Sequence, residues 1–230
     1  MRIVTWNCCG GLKAKFSKLV AMDADVLVIQ ECLRPFVDEQ NKLQGWSCAW
    51  IDGDKKGLAV FARMPWAILD AHPLPPKLSG MAMVDGPARV ELYPVWTQVS
   101  KNPTLEYIEQ IHLLLDTIER TPISTGRVVL GDFNSNARWD ADYGEKSHSR
   151  AVDRFRKLGM ESAYHTFTGE VHGSETNQTH RNNKNKQNYH VDYAFLAQTL
   201  LSKLKSATVG PLEEWLSFSD HAPLILDLDV

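Results

Sequence analysis

The chain has 230 residues, 43% of them hydrophobic, which is enough to bury a sizeable core and sets the expectation of one domain over residues 1–230. A formal net charge of −3 excludes a global pull towards nucleic acid, so a polyanionic substrate has to be drawn by a local patch. No stretch is long and apolar enough to cross a bilayer, the start carries no signal-peptide pattern, and Cys8, Cys9, Cys32 and Cys48 lack C-x-x-C spacing; a soluble, cytoplasmic protein with free thiols is expected, not a zinc or disulfide framework.

Arg2 to Trp6 predicts a strand running into Asn7-Cys8-Cys9-Gly10-Gly11, where paired glycines signal a loop. Leu12, Phe16, Leu19 and Val20 follow at helical spacing, with Lys13, Lys15 and Lys18 on the other side. Val26-Leu27-Val28-Ile29 predicts a second buried strand, ending in Gln30-Glu31. Two strands thus end in an oxygen-bearing side chain, Asn7 and Glu31. Singly, each is better read as a turn or loop residue; as a pair at parallel positions they suit a hard cation.

Trp46 to Ile51 and Gly57 to Ala62 predict a hairpin around Asp52-Gly53-Asp54-Lys55-Lys56, a polar turn whose glycine placement does not fit a calcium loop. Residues 63–88 hold Pro65, Pro73, Pro75, Pro76 and Pro87 and are expected to wander over the surface. Strand character resumes from Ala88 to Thr97. Pro103 is expected to open a helix with Leu105, Ile108, Ile111, Leu115 and Ile118 on one face, and His112 within it reads as structural. Arg127-Val128-Val129-Leu130 predicts a buried strand broken by Gly131. Directly after it, Asp132 and Asn134 offer a carboxylate that can hold or deprotonate water and an amide that can donate to a phosphate oxygen. Alone, this stretch serves equally well as an ordinary turn.

Val152, Phe155 and Leu158 mark another helix, closed by Gly159. From Thr176 to Val191 there is no acidic residue, while Arg181, Lys184 and Lys186 add positive charge and Tyr189 an aromatic face. Val191 to Leu196 predicts a strand with Asp192 at its start, and Leu224, Leu226 and Leu228 alternate in a last strand after Ser219-Asp220-His221. His148, His165, His172, His180 and His190 have no comparable company. His180 and His190 flank the basic segment, but read first as solvated loop histidines.

Thr5-Trp6-Asn7, Gln30-Glu31, Gly131-Asp132-Phe133-Asn134, Val191-Asp192-Tyr193 and Ser219-Asp220-His221 stand in the order found in the endonuclease/exonuclease/phosphatase superfamily, which the chain resembles from residue 5 to residue 221. Each motif is weak alone; five in the correct order are specific. The resemblance implies a four-layered α/β sandwich, two packed mixed β-sheets flanked by helices and DNase I-like, with the site in a cleft at one edge. It implies a Mg2+ ion, with Mn2+ as substitute, held by Glu31 with Asn7 and Asp220. It assigns the attacking water to Asp132 or His221, a phosphate oxygen to Asn134, the scissile phosphate to His221, and the orientation of that ring to Asp192. One place departs from the pattern: a Thr-His pair of the family is Thr97-Gln98 here, and Gln98 can donate to a phosphate oxygen but cannot carry a proton.

The expected function is a metal-dependent phosphoesterase, first of all a nuclease-type phosphodiesterase, with Gln98, Arg181, Lys184 and Lys186 on the nucleic acid. The alternatives are a phosphomonoesterase acting on a small phosphorylated metabolite or lipid head group, and a catalytically silent module that binds nucleic acid or a protein. Intact Asn7, Glu31, Asp132, Asn134, Asp192, Asp220 and His221 argue against the last, since a binding module has no need of all seven.

Overall fold

The computed structural model describes residues 1–40, 45–99, 107–122 and 124–230; Pro103 and Leu105, expected at the start of a helix, lie outside them. The first half of the chain builds β1 (Arg2–Asn7), α1 (Leu12–Val20), β2 (Val26–Leu33), α2 (Arg34–Gln40), β3 (Trp46–Gly53), β4 (Lys56–Arg63), β5 (Ala67–Leu74), β6 (Ser79–Asp85), β7 (Val90–Trp96) and α3 (Ile108–Ile118). The second half begins with β8 (Arg127–Asp132), the short helix α4 (Asp140–Tyr143), α5 (His148–Lys157), β9 (Met160–Ser162) and α6 (Ala163–Thr168). A two-strand ribbon of β10 (His180–Arg181) and β11 (Asn188–Tyr189) precedes β12 (Asp192–Ala197), α7 (Gln198–Leu201), β13 (Leu204–Val209), α8 (Leu212–Trp215) and β14 (Leu224–Leu228).

The larger strands form two six-stranded sheets, ordered β13-β14-β1-β2-β4-β3 and β5-β6-β7-β8-β12-β9. Each has one parallel pair at its centre, β1 with β2 and β7 with β8, and antiparallel partners outside it. The period-two alternation of strand side chains shows why these sheets stack. Ile3, Val26 and Val28 of the first sheet meet Val128, Leu130, Ala194 and Leu196 of the second in one buried cluster. The alternate residues Val4, Trp6, Leu27 and Ile29 face out, against Leu12, Phe16 and Leu19 of α1 and Trp215 of α8. On the far side Val129, Tyr193 and Phe195 pack against Ile111, Leu115 and Phe155 of α3 and α5. Strands buried on both faces need continuous apolar runs, which is what Val26 to Ile29 and Val128 to Leu130 supply. The fold is the four-layered sandwich expected from the sequence.

Three local expectations are corrected. Residues 63–88 do not wander: β5 and β6 form an antiparallel hairpin from Ala67↔Asp85 to Leu74↔Ser79. Pro73 is tolerated within β5 because this is the edge strand of its sheet, where a missing N–H costs no ladder bond, and Pro75 and Pro76 fall in the turn. Gly131 does not break β8, which continues through Asp132; it sits at φ 140, and a Cβ there would stand 2.0 Å from the Val95 carbonyl oxygen. Glycine is what lets β7 and β8 lie together. Finally, β2 does not end at Glu31. The register with β4 shifts between Ile29 and Cys32, and Glu31 occupies that bulge at φ 57, a device that re-aims a side chain away from the ladder.

Candidate active site

Parallel neighbours end on the same side of a sheet, so the two parallel pairs bring four strand ends to one rim. Asn7 closes β1 opposite Gln30, and Asp132 closes β8 opposite Trp96. Antiparallel β12 starts where β8 stops, placing Asp192 directly across from Asp132. Residues 219–221 return to the same rim before β14. Phe133 explains the aim of its neighbours: its ring is buried against Tyr193 and Phe195, so Asp132 and Asn134 on either side turn towards the cleft. Its backbone is tied at both ends, the N–H donating to Val191 O (2.9 Å) and the carbonyl accepting from Thr97 Oγ1 (2.6 Å).

Asp132 is fully buried and accepts three hydrogen bonds: Asn7 Nδ2 (2.9 Å) and Asn134 Nδ2 (3.0 Å) on Oδ2, and the Asn134 backbone N–H (2.9 Å) on Oδ1. Asn134, at φ 46, also donates from Nδ2 to Thr97 O at 2.9 Å. Both of its amide hydrogens are therefore engaged, and in this geometry it aligns Asp132 and does not present a free donor for phosphate. The His221 ring is held between two carboxylates, Nδ1 at 2.9 Å from Asp192 Oδ2 and Nε2 at 3.8 Å from Asp132 Oδ2. Its backbone is fixed by Trp6 Nε1, which donates to His221 O at 2.8 Å, and by Ser219 Oγ, which accepts its N–H at 3.1 Å. Thr179 Oγ1 accepts the Asp192 N–H at 3.1 Å.

Burial pushes the Asp132 carboxyl up to about 7, against the pull of the His221 charge and with Asp192 adding to the rise. For His221, burial favours the neutral ring, but the charges of Asp192 and Asp132 outweigh it and raise the imidazole to about 9. A proton on His221 and a carboxylate poised near neutrality is the arrangement that results. Asp192 Oδ1 is buried with no hydrogen-bond partner among the described residues, an acceptor left for a ligand or water.

The residues expected to hold a cation lie beside this constellation. Glu31 Oε2 accepts from Lys56 Nζ at 2.6 Å, and Asp220 Oδ2 accepts from Asn183 Nδ2 at 3.1 Å with His180 Nε2 at 4.0 Å. Asn7 Oδ1 accepts the Cys9 N–H at 3.0 Å. Both carboxylates act on Cys9, whose thiol is raised by burial and then by the charges of Asp220 and Glu31. Burial also lifts the adjacent Cys8 thiol to about 12, so neither sulfur offers a thiolate at neutral pH. The donor set is oxygen only, which fits a hard divalent cation and not a thiolate-seeking one. Glu31 meets its present positive charge in Lys56, a neighbour that no feature of the sequence announces.

The expected substrate residues divide. Gln98 follows β7 at the rim, next to Asn134 across the Thr97 bond, with its backbone N–H and O paired to Gln110. Arg181 is drawn off: its guanidinium donates to both carboxylate oxygens of Glu213, at 3.1 and 3.2 Å. Glu213 is remote in sequence, so the acid-free run from Thr176 to Val191 is not acid-free in space. Lys184 and Lys186 are exposed on the turn between β10 and β11. His180 is not a solvated loop residue, since its ring lies 4.5 Å from that of His221. It joins Asn134 and four aromatic residues, Tyr107, Trp139, Tyr143 and Tyr189, around a cavity of about 380 Å³. Trp139 and Tyr189 touch there, ring centroids 5.0 Å apart and planes tilted by 57°. Thr179, Lys56 and Trp139 were not legible as site residues; only the fold brings them in.

Two mixed sheets stacked this way, with a carboxylate–imidazole–carboxylate group at the rim, define a DNase I-like fold. The chain belongs to the Endonuclease/Exonuclease/phosphatase family, whose model matches residues 4–221. Among solved structures it is similar to the 3′ phosphatase NExo from Neisseria, bound to product DNA hairpin, with a TM-score of 0.76, 20% identity and all of both chains covered. An AP endonuclease from Archaeoglobus fulgidus superposes with a TM-score of 0.75 at 17% identity, again over the whole of both chains. TDP2 from D. rerio, complexed with single strand DNA product, gives 0.72 at 16% identity, covering 100% of this chain and 99% of that one. No curated protein matches the sequence significantly.

Proposed function

We propose that this chain is a Mg2+-dependent phosphoesterase that hydrolyses phosphodiester bonds of nucleic acid. The observation that carries the reading is the buried group in which Asp132 and His221 stand 3.8 Å apart, each held in place by its own partners. That distance is too long for a direct hydrogen bond, so both atoms can contact an oxygen lying beside them. Asp132, aligned by Asn7 and Asn134, accepts the proton of the attacking water. His221, charged and fixed by Asp192, donates from Nε2 to the phosphoryl oxygen on which charge builds. Glu31, Asn7 Oδ1 and Asp220 would hold the metal, which when bound neutralises phosphate charge and polarises the phosphoryl group. Gln98 donates to a phosphate oxygen and takes no part in proton transfer.

Nucleic acid is favoured over a small phosphorylated metabolite by the aromatic cavity beside Asn134. Trp139, half-buried and backed by the buried Tyr189 ring, lines this cavity and offers a surface to a base or sugar next to the cleaved bond, where stacking contributes about 1–3 kcal/mol per base. The test is to incubate metal-stripped protein with Mg2+ and a panel of plasmid, single-stranded, abasic-site and 3′-phosphorylated oligonucleotides, nucleotides and inositol phosphates. Cleavage of oligonucleotides that stops with chelator and returns with Mg2+ or Mn2+ is expected. Full turnover in excess chelator, or turnover of the inositol phosphates alone, sinks the proposal.

A further inference from the structure

Away from this rim, the fold gathers four histidines that lie scattered in the sequence. His148 opens α5, His165 lies in α6, His172 and Glu175 follow in the next loop, and His190 precedes β12. The rings of His165 and His172 stack at 3.5 Å, and His148 Nε2 lies 3.2 Å from His172 Nδ1. His165 Nε2 stands 3.2 Å from Glu175 Oε1. His190 is wholly buried beside them, and its Nε2 has no partner among the described residues.

We propose that His165, His172 and Glu175 form a second metal site, for a transition-metal ion of the Zn2+ type, separate from the Asp132–His221 group. One ligand atom from each residue lies within 4.8 Å of the other two. Around a tetrahedral Zn2+ with bonds of about 2.0–2.1 Å the ligand atoms stand about 3.3 Å apart, so only a modest closure is needed. Two imidazoles and a carboxylate suit zinc rather than magnesium, which prefers oxygen and retains its waters. The outer partners are in place. Ser162 Oγ sits 2.7 Å from His165 Nδ1, fixing that ring with Nε2 towards Glu175. Glu175 is held by Asn136 Nδ2 on Oε2 (3.1 Å) and by the Gly173 N–H on Oε1 (3.0 Å), and His148 engages His172 Nδ1. Such contacts orient metal-bound histidines and carboxylates.

The protonation states agree with the geometry. Burial, with the neighbouring histidines, drives His172 down to about 2 and holds its ring neutral. Burial would raise Glu175, but donation by His165, Gly173 and Asn136 outweighs it and brings the carboxyl down to about 2. A cation entering here displaces the proton that His165 Nε2 shares with Glu175 Oε1, 3.2 Å away, and takes its place between the two atoms. The stacked rings require one adjustment, a turn of His172. That ring is only partly buried and borders a cavity of about 320 Å³, which gives it room. Because Asn136 bonds both Glu175 and His190 O, the ion would clamp the loop after α6 to the segment that carries Asp132 and Asn134.

The test uses the full chain, stripped of metal, with Zn2+ alone. Equilibrium dialysis with elemental analysis should find one tight site, and bound Co2+ should show the strong visible bands of a tetrahedral nitrogen–oxygen environment. Glu31→Gln should keep this site, whereas His172→Gln and Glu175→Gln should weaken it by more than the roughly 10–100-fold that loss of an outer partner costs. Zn2+ should raise Tm in wild type and in Glu31→Gln but not in His172→Gln, whose metal-free circular dichroism and Tm show whether it is folded. Serine at position 162 supplies a second variant: Ser162→Ala leaves all three ligands and should weaken binding by about 10–100-fold without abolishing it. Absence of a tight Zn2+ site in wild type, its persistence in both ligand variants, or its loss in Glu31→Gln overturns the proposal.

Discussion

Replacing Asp192 by Asn tests how the catalytic group works, because it removes a charge while keeping shape and one acceptor. At the 2.9 Å separation of His221 Nδ1 and Asp192 Oδ2, a unit charge pair carries roughly 6 kcal/mol even at an effective dielectric of 20. That is gross attraction, part of it offset by desolvation, but it is the largest influence opposing the effect of burial on His221. In Asp192→Asn, burial gains on the remaining charges and the ring loses its proton at lower pH. Turnover near neutrality should fall by roughly 10²–10⁴. The pH profile gives the sharper reading. With Asp132 needed unprotonated and His221 protonated, the wild-type profile should be a bell with limbs near 7 and 9. Asp192 raises both groups, so its loss should move both limbs to lower pH.

The assay is single-turnover cleavage of a labelled oligonucleotide at saturating metal, from about pH 5 to about pH 10. His221→Ala should be comparably slow and lose the alkaline limb, and the double variant should be little worse than either single, since groups acting as a unit are not additive. An unmoved alkaline limb in Asp192→Asn, or losses that simply multiply, would refute the pairing.

Three further outcomes are expected. Gly131→Ala, which forces a Cβ to within 2.0 Å of Val95 O at φ 140, should lower stability to urea by about 3 kcal/mol; a loss under about 1 kcal/mol means β7 and β8 can separate freely. Lys184→Ala with Lys186→Ala should flatten the plot of log affinity for single strands against log salt by about 0.7 for each phosphate no longer neutralised, while Arg181→Ala, already paired to Glu213, adds little. An equal effect from Arg181→Ala shows that the ion pair opens on binding. Trp139→Ala should weaken oligonucleotide binding by about 1–3 kcal/mol and leave cleavage of a small aryl phosphodiester unchanged; equal losses on both substrates place Trp139 in support of the active site.

The strands at the centre of each sheet are legible because burial on both faces demands continuous apolar runs, and their ends mark Asn7 and Asp132. Spacing alone does not make the site; the five motifs in order do. The β5–β6 hairpin escapes a reading of the sequence because proline argues against central strands and says nothing about edge position. Gly131 reads as a terminator because sequence shows a missing side chain without the Val95 carbonyl that requires it. Lys56, Thr179 and Glu213 act across large sequence separations, and no local pattern records them. The histidine group is hidden for the same reason: its members come from α5, α6, a loop and the approach to β12, and each alone resembles a polar surface residue.

Asn7 closes a strand of one sheet and Asp132 a strand of the other; His221 stands just before β14 of the first sheet and Asp192 opens β12 of the second, and each pair is joined at 2.9 Å. Neither sheet carries a working half. The hydrogen-bond ladders within the sheets resist stretching, but the packing between the sheets is apolar and non-directional, so sliding is the soft direction of this molecule. A slip of about 1 Å would break both pairs while every strand kept its partners, and a misplacement of that size can cost a hundredfold in rate. Turnover is thus a strain gauge for the interior. Small losses of volume at Val28 or Leu130, far beneath the rim, should register in kcat at temperatures where circular dichroism still reports an intact fold.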